Sequence, residues 1–164
     1  MQSTVVRTRA GTLTIRPLRN GDTETVQAVF DALGHESRRL RFGSAKPVLD
    51  PQELAELSRA DGHHHALVGS IAGTPIGIAR LVRDAGSRHV AEVASAVADE
   101  WQGRGVGTAL MRALVADAAA AGITHVRADI LLENRASLSL LRKATTIVSR
   151  RVVGGDLAVI ALTT

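Results

Sequence analysis

Cysteine and tyrosine are both absent from the 164 residues, and Phe30, Phe42 and Trp101 are the only aromatic side chains. The lack of cysteine excludes disulfides, thiolate metal sites and a cysteine nucleophile. So few aromatics leave no row of stacking platforms for bases, and the basic residues form no cluster, so nucleic acid is not expected as a partner. Lysine is scarce as well: Lys46 and Lys143 are the only two, and the formal charge of +4 rests on arginine scattered along the chain. A mild positive balance of this kind suits a polyanionic ligand as a field effect. No run of eighteen apolar residues occurs, and residues 1–11 are polar and arginine-containing, unlike a secretory leader. No membrane partner is therefore expected, and the expected compartment is the cytoplasm.

A chain of this length has room for one domain with a full hydrophobic core. Residues 1–11 read as an N-terminal tail and 12–164 as a single domain. Thr12 to Leu18 alternates as a strand, and Asp22 caps a helix whose apolar residues Val26, Val29, Phe30 and Leu33 share one face before Gly34. His35 to Leu49 lacks sustained periodicity and reads as a loop. Asp50-Pro51-Gln52-Glu53 combines an N-cap, a proline at the first helical position and a capping-box glutamate, which predicts a short helix to about Arg59. Strand patterns follow at His65 to Ile71, Ile76 to Val82 and Val90 to Val97, separated by turn residues. Val106, Leu110, Leu114 and Ala118 mark a helix closed by Gly122; Val126 to Leu132 is a strand, Arg135 to Lys143 a helix, and Ile147 to Val153 with Leu157 to Leu162 a hairpin. The order β-α-α-β-β-β-α-β-α-β-β predicts an α/β fold: a mixed, mostly antiparallel sheet with helices on both faces.

The stretch Gln102-Gly103-Arg104-Gly105-Val106-Gly107 lies between the last strand of the meander and a helix. Glycines there let backbone approach an anion, and the first amides of the helix are unpaired donors at the positive end of its dipole. A pyrophosphate fits such a cradle. The spacing also comes near a dinucleotide fingerprint, with Glu133 as a ribose carboxylate, but Thr108 takes the place of the third spaced residue and the turn falls late in the chain, after strands with no helices between them.

Gln102, Gly105 and Gly107 match Q/R-x-x-G-x-G, and the chain from Thr12 onward, most clearly from Ala91 to Lys143, resembles the GNAT superfamily of N-acetyltransferases. The resemblance implies acetyl-CoA as co-substrate, an amine acceptor and a cleft between the strands ending near Val97 and Leu132. It implies that backbone groups of Val97 and Asp99 pair with the pantetheine arm, and that Gln102, Gly103, Arg104, Gly105, Val106, Gly107 and Thr108 hold the pyrophosphate. Asn134 and Lys143 match a second recurring element of the family, and Asn134 and Ser137 would lie near the cofactor. Leu141 stands where many relatives have the tyrosine that protonates the departing thiolate, so that role does not carry over.

Glu92, in Ala91-Glu92-Val93-Ala94-Ser95-Ala96-Val97, is an acid in an apolar strand. A buried ionised carboxylate there must be paired or useful, so it reads as a general base, as an ion-pair partner of an arginine, or as an exposed residue on the solvent side of the strand. Its spacing to Gln102, and the segment Ser37 to Phe42 with Arg38, Arg39 and Arg41, resemble the bacterial protein lysine acetyltransferases that modify acyl-CoA synthetases. That resemblance implies a protein lysine as acceptor and Glu92 as base. A small-molecule amine acetyltransferase and a non-catalytic acyl-CoA-binding module are the competing readings. His63-His64-His65 shows no partner set with ligand spacing, so no metal is expected.

Overall fold

Leu13 and Ile15, two residues apart, are fully buried, and the same alternation recurs at Ala79 and Leu81 and at Ala91 and Val93. Period-two burial is what a sheet with a covered face demands. The computed structural model describes residues 2–164. Its strands are β1 (Thr4–Thr8), β2 (Gly11–Pro17), β3 (His64–Ile71), β4 (Thr74–Arg83), β5 (Val90–Val97), β6 (His125–Leu131), β7 (Thr146–Val153) and β8 (Asp156–Leu162). The helices are α1 (Thr23–Asp31), α2 (His35–Phe42), α3 (Pro51–Leu57), α4 (Val106–Ala120) and α5 (Arg135–Ala144). The strands form one sheet in the order β1-β2-β3-β4-β5-β6-β8-β7. Every neighbouring pair is antiparallel except β5 and β6.

Two departures from expectation matter for the site. Residues 4–8, expected in a tail, form β1, which pairs with β2 from Thr4↔Ile15 to Thr8↔Gly11. The turn between them is tied by Thr8, whose hydroxyl donates to Gly11 O and accepts from the Ala10 N–H. Residues 35–42, expected as a loop, form α2. None of its residues is buried, so it lacks the apolar stripe that betrays a helix. It is held instead by polar means: Glu36 pairs with Arg39 one turn on, and Gly43, at φ 80°, donates its N–H to Arg39 O to close the last turn.

Both faces of the sheet are covered, by different helices. On one face α4 packs Leu110, Met111, Leu114 and Val115 against β2 to β6. Leu110 seats in a notch made by Gly69 and Gly77, which pair directly across β3 and β4; a Cβ on Gly77 would stand 3.0 Å from its methyl group. Truncating a leucine so enclosed costs about 2–5 kcal/mol. The notch fixes the approach of α4 and hence where its N-terminus points. On the opposite face Val26 and Phe30 of α1 pack with Leu18, Leu49, Ala66 and Val68. Helices α1 to α3 cover β3 to β5 but reach β6 only through α2, leaving Ile160 on β8 39% exposed. Edge strand β7 is exposed along its length apart from Ile147. No helix is long and apolar enough to cross a membrane among the described residues.

Candidate active site

Register opens the cleft. β5 and β6 pair only at Val90↔His125, Ala91↔Val126 and Glu92↔Arg127, and beyond that point they separate. On its other side β5 stays with β4 as far as Val97. The Ala98 N–H donates to Ile76 O at 2.8 Å, and antiparallel hydrogen bonding alternates along a strand, so the N–H and C=O groups of Ser95 and Val97 point away from β4, into the gap, while the Val93 N–H is taken up by the last rung of the β5–β6 pairing, at Arg127. A cleft of about 530 Å³ occupies it, with β5 as its floor and residues of α2, α4, α5 and the glycine turn as its walls.

At the far end lies the glycine turn that the sequence suggested as an anion cradle. Gly105, at φ 87°, is the N-cap of α4, and no side chain caps the helix, so the amides of Val106, Gly107 and Thr108 have no capping partner. A side chain at that φ would be strained. At Gly107 the constraint is space, because a Cβ would meet Leu140 of α5 at 2.7 Å. Gly103, Gly105, Gly107 and Thr108 line the cleft; the Val106 side chain is buried in the core, leaving its N–H as the only group it can offer. Arg104 stands over the Trp101 ring at 5.4 Å. Arg9, placed by sequence in the tail, also lines the cleft, because the β1–β2 turn brings Thr8 against Gly105. Pairing between β1 and β2 was the missing signal.

The remaining expected groups divide. Gln102 Nε2 donates to Val97 O at 2.9 Å and to Ser37 Oγ at 3.0 Å, tying α2 to the end of β5. The Asp99 N–H donates to Ala32 O at 3.1 Å, so it is not free to meet a pantetheine arm as expected; the close of the 3-10 turn, Gln102 N–H to Asp99 O, engages its carbonyl as well. Asn134 lines the cleft and acts as the N-cap of α5, its Oδ1 accepting from the Ser137 N–H at 3.1 Å; Ser137 lines the cleft beside it. Leu141 is 3% exposed and packs in the core.

Glu92 is not inside the core. It lies on the face of α1 to α3, its side chain 52% exposed, and Arg127 donates to its carboxylate at 3.3 Å. It lines both the cleft and an adjoining chamber of about 250 Å³ between α2, α3, β4 and β5. The three arginines of α2 do different things. Arg38 stacks on Phe30 and donates to Phe30 O and Pro47 O. Arg39 bridges Glu36 and Glu133, and its hydrogen bond holds the Glu133 carboxyl below the usual carboxylate range. Only Arg41 lines the cleft and the chamber. The histidine run is dispersed: His64 is buried between Asp61 at 2.7 Å and Glu56 at 3.3 Å, and His65 meets Asp117 of α4 at 2.8 Å.

Comparisons with known proteins agree with this architecture. Residues 30–145 match the model of the acetyltransferase (GNAT) family. The chain is 32% identical over 142 residues to Acetyltransferase Pat of Mycolicibacterium smegmatis, a match covering 85% of this chain and 43% of that protein, so the chain spans less than half of that relative's length. It superposes on the GNAT domain of S. lividans PAT with a TM-score of 0.88 at 27% identity, covering 98% of this chain and 96% of that one. The yncA protein of Salmonella typhimurium, solved with acetyl-CoA, shares the fold at a TM-score of 0.69 and 22% identity, over 93% and 94% of the two chains.

Proposed function

The chain belongs to the acetyltransferase (GNAT) family, whose co-substrate is acetyl-CoA, and from that premise we propose that it acetylates a lysine side chain on a protein, with Glu92 as general base. The observation that carries the proposal is the end of the β5–β6 pairing at Glu92↔Arg127. There the carboxylate stands where the cleft meets a sheet face that no helix covers beyond β6, with Arg127 and the exposed Ile160 beside it. A protein surface can approach such a face. Likeness to the two Pat proteins supports the same acceptor class.

The residues present fit the co-substrate, which when bound supplies an activated acyl group on a thiol leaving group. The uncapped amides at the start of α4, with Arg9 nearby, suit its pyrophosphate. From Val97 back to Glu92 is five residues, about 16 Å of strand, along which the arm would lie. The N–H of Val97 then serves the arm, and the N–H of Ser95, nearer Glu92, is the one positioned to polarise the thioester carbonyl and stabilise its developing oxyanion. Glu92 accepts a proton from the incoming ammonium, directly or through one water, so that the free amine attacks. A thiol of pKa near 8.5 leaves as thiolate or takes its proton from water, so no tyrosine is required.

The test is mass spectrometry of a lysate freed of small molecules and incubated with the protein and acetyl-CoA, compared with its metabolite fraction. Acetyllysine on specific proteins is expected. Saturable acetylation confined to metabolite amines would overturn the acceptor while leaving the acetyltransferase assignment in place.

A further inference from the structure

The chamber beside the cleft is lined by three cations, Arg41, Lys46 and Arg80, and three carboxylates, Glu53, Glu56 and Glu92. Two of the cations are matched. Lys46 pairs with Glu53, and Arg80 donates to the backbone O of Glu56 at 2.9 Å and to its carboxylate at 3.4 Å. Glu92 is held from outside the chamber by Arg127. Arg41 is left over: among the described residues its guanidinium has no hydrogen-bond or ion-pair partner, and its one close polar contact is the face of Phe42 at 4.9 Å. It is half-buried, it lines the cleft and the chamber alike, and Glu92 lines both with it.

A partly buried cation whose nearest anion, Glu92, is already paired with Arg127 and makes no direct contact with it remains short of charge compensation. Burial, with Arg80 nearby, pushes the Arg41 pKa down to about 10 against the opposing pull of the Glu92 carboxylate, which still leaves it charged at neutral pH. The co-substrate's phosphates are not the partner, because their cradle lies beyond Val97 and Arg41 sits by Glu92 and Ala94, at the other end of the strand. We infer that Arg41 is a specificity residue of the acceptor site: it receives a carboxylate carried close to the amine that Glu92 deprotonates. With a protein lysine as acceptor, the reading this rests on, that carboxylate belongs to an aspartate or glutamate flanking the lysine. Glu92 and Arg41 together present opposite charges to the two ends of such an acceptor, and arginine's planar fork suits a carboxylate.

The experiment measures kcat and KM with paired lysine peptides that differ only in Asp or Glu against Asn or Gln near the lysine. A parallel pair of small amines, one bearing a carboxylate and the other its amide, is assayed too. Parent, Arg41→Gln and Arg41→Lys proteins are compared, with folding checked by the rise in Tm on adding acetyl-CoA. In the parent the acidic acceptor should show a KM lower by about tenfold at similar kcat. Arg41→Gln should abolish that advantage and Arg41→Lys retain part of it. Equal KM for the acidic and amide acceptors in the parent, or an unchanged preference in Arg41→Gln, overturns the inference. Arg41-dependent preference among the small amines with no peptide acetylated would support Arg41 while overturning the protein acceptor; acetylation of neither set overturns both.

Discussion

Arg39 of α2 and Glu133, ninety-four positions apart in the chain, meet at 2.7 Å and join two walls of the cleft. Glu133 directly precedes Asn134, the N-cap of α5, while two residues before Arg39 the Ser37 hydroxyl accepts from Gln102. Helix α2, which buries none of its residues, is thus fastened across the cleft at both lips by side-chain polar contacts.

Breaking one fastening should loosen α2 without unfolding the protein. The Arg39–Glu133 pair is solvent-exposed, so water and salt screen it and its contribution to global stability is small. Arg39→Met is expected to speed hydrogen exchange of the α2 amides by roughly two- to fivefold, with exchange in α4 unchanged. High salt should reduce the difference. Equal acceleration of exchange in α2 and α4 of the Arg39→Met protein would place the effect in global stability.

Arg9 should contribute to acetyl-CoA affinity. Because it is exposed, Arg9→Glu is expected to weaken binding by roughly three- to tenfold, with the effect shrinking as ionic strength rises. Gly105→Glu should act more strongly, since it strains the αL position and sets a carboxylate among the cradle amides. Titration calorimetry with acetyl-CoA reads both, and unchanged affinity in the folded Gly105→Glu protein would remove the cradle from the site.

For Glu92→Gln, turnover should fall by about a hundredfold or more with acetyl-CoA affinity nearly unchanged. The variant keeps the shape of the side chain and loses the base. Its deficit should narrow as pH rises, because the acceptor amine then loses its proton to solvent. Parallel pH profiles for parent and variant from about pH 6 to 9 would return Glu92 to a structural partnership with Arg127.

Asp61 offers a test by pH. Its carboxyl is held below the ordinary aspartate range first by the His64 ring, then by the backbone N–H of His63. A group whose folded pKa is depressed stabilises the fold fully above its unfolded value, near 3.9, and loses that contribution as pH falls through the folded value. Asp61→Asn should therefore lower Tm at neutral pH, and the gap to the parent should close progressively below about pH 4. A constant gap down to pH 2 would assign the loss to hydrogen-bond geometry alone.

Periodic segments were the legible part of this chain. β5 spans Val90–Val97 as its alternation predicts, and α4 differs from its expected extent by one residue, because apolar residues along both face a core. α2 and β1 were hidden for the opposite reason. His35 to Phe42 carries four charged residues and no buried face, so contacts with Gln102 and Glu133, far away in sequence, decide its conformation. Thr4 to Thr8 is a short strand whose pairing depends on a turn set by the Thr8 hydroxyl. Missing β1 concealed Arg9, and reading Ser37 to Phe42 as a loop concealed the separate tasks of Arg38, Arg39 and Arg41. Asp99 was misjudged because nothing local announces that its N–H donates to Ala32.

Strand β7 closes the sheet with eight residues that face solvent on nearly every side, Val148, Val152 and Val153 among them. A bare edge of that length is an invitation for other chains to add a strand. Arg150 and Arg151 sit side by side in its middle, and consecutive residues of a strand point to opposite faces, so an added strand would meet a guanidinium whichever face it presented. Guanidinium groups so placed disfavour the pairing of another chain along the sheet's open margin, as charges beside exposed apolar strand residues generally do.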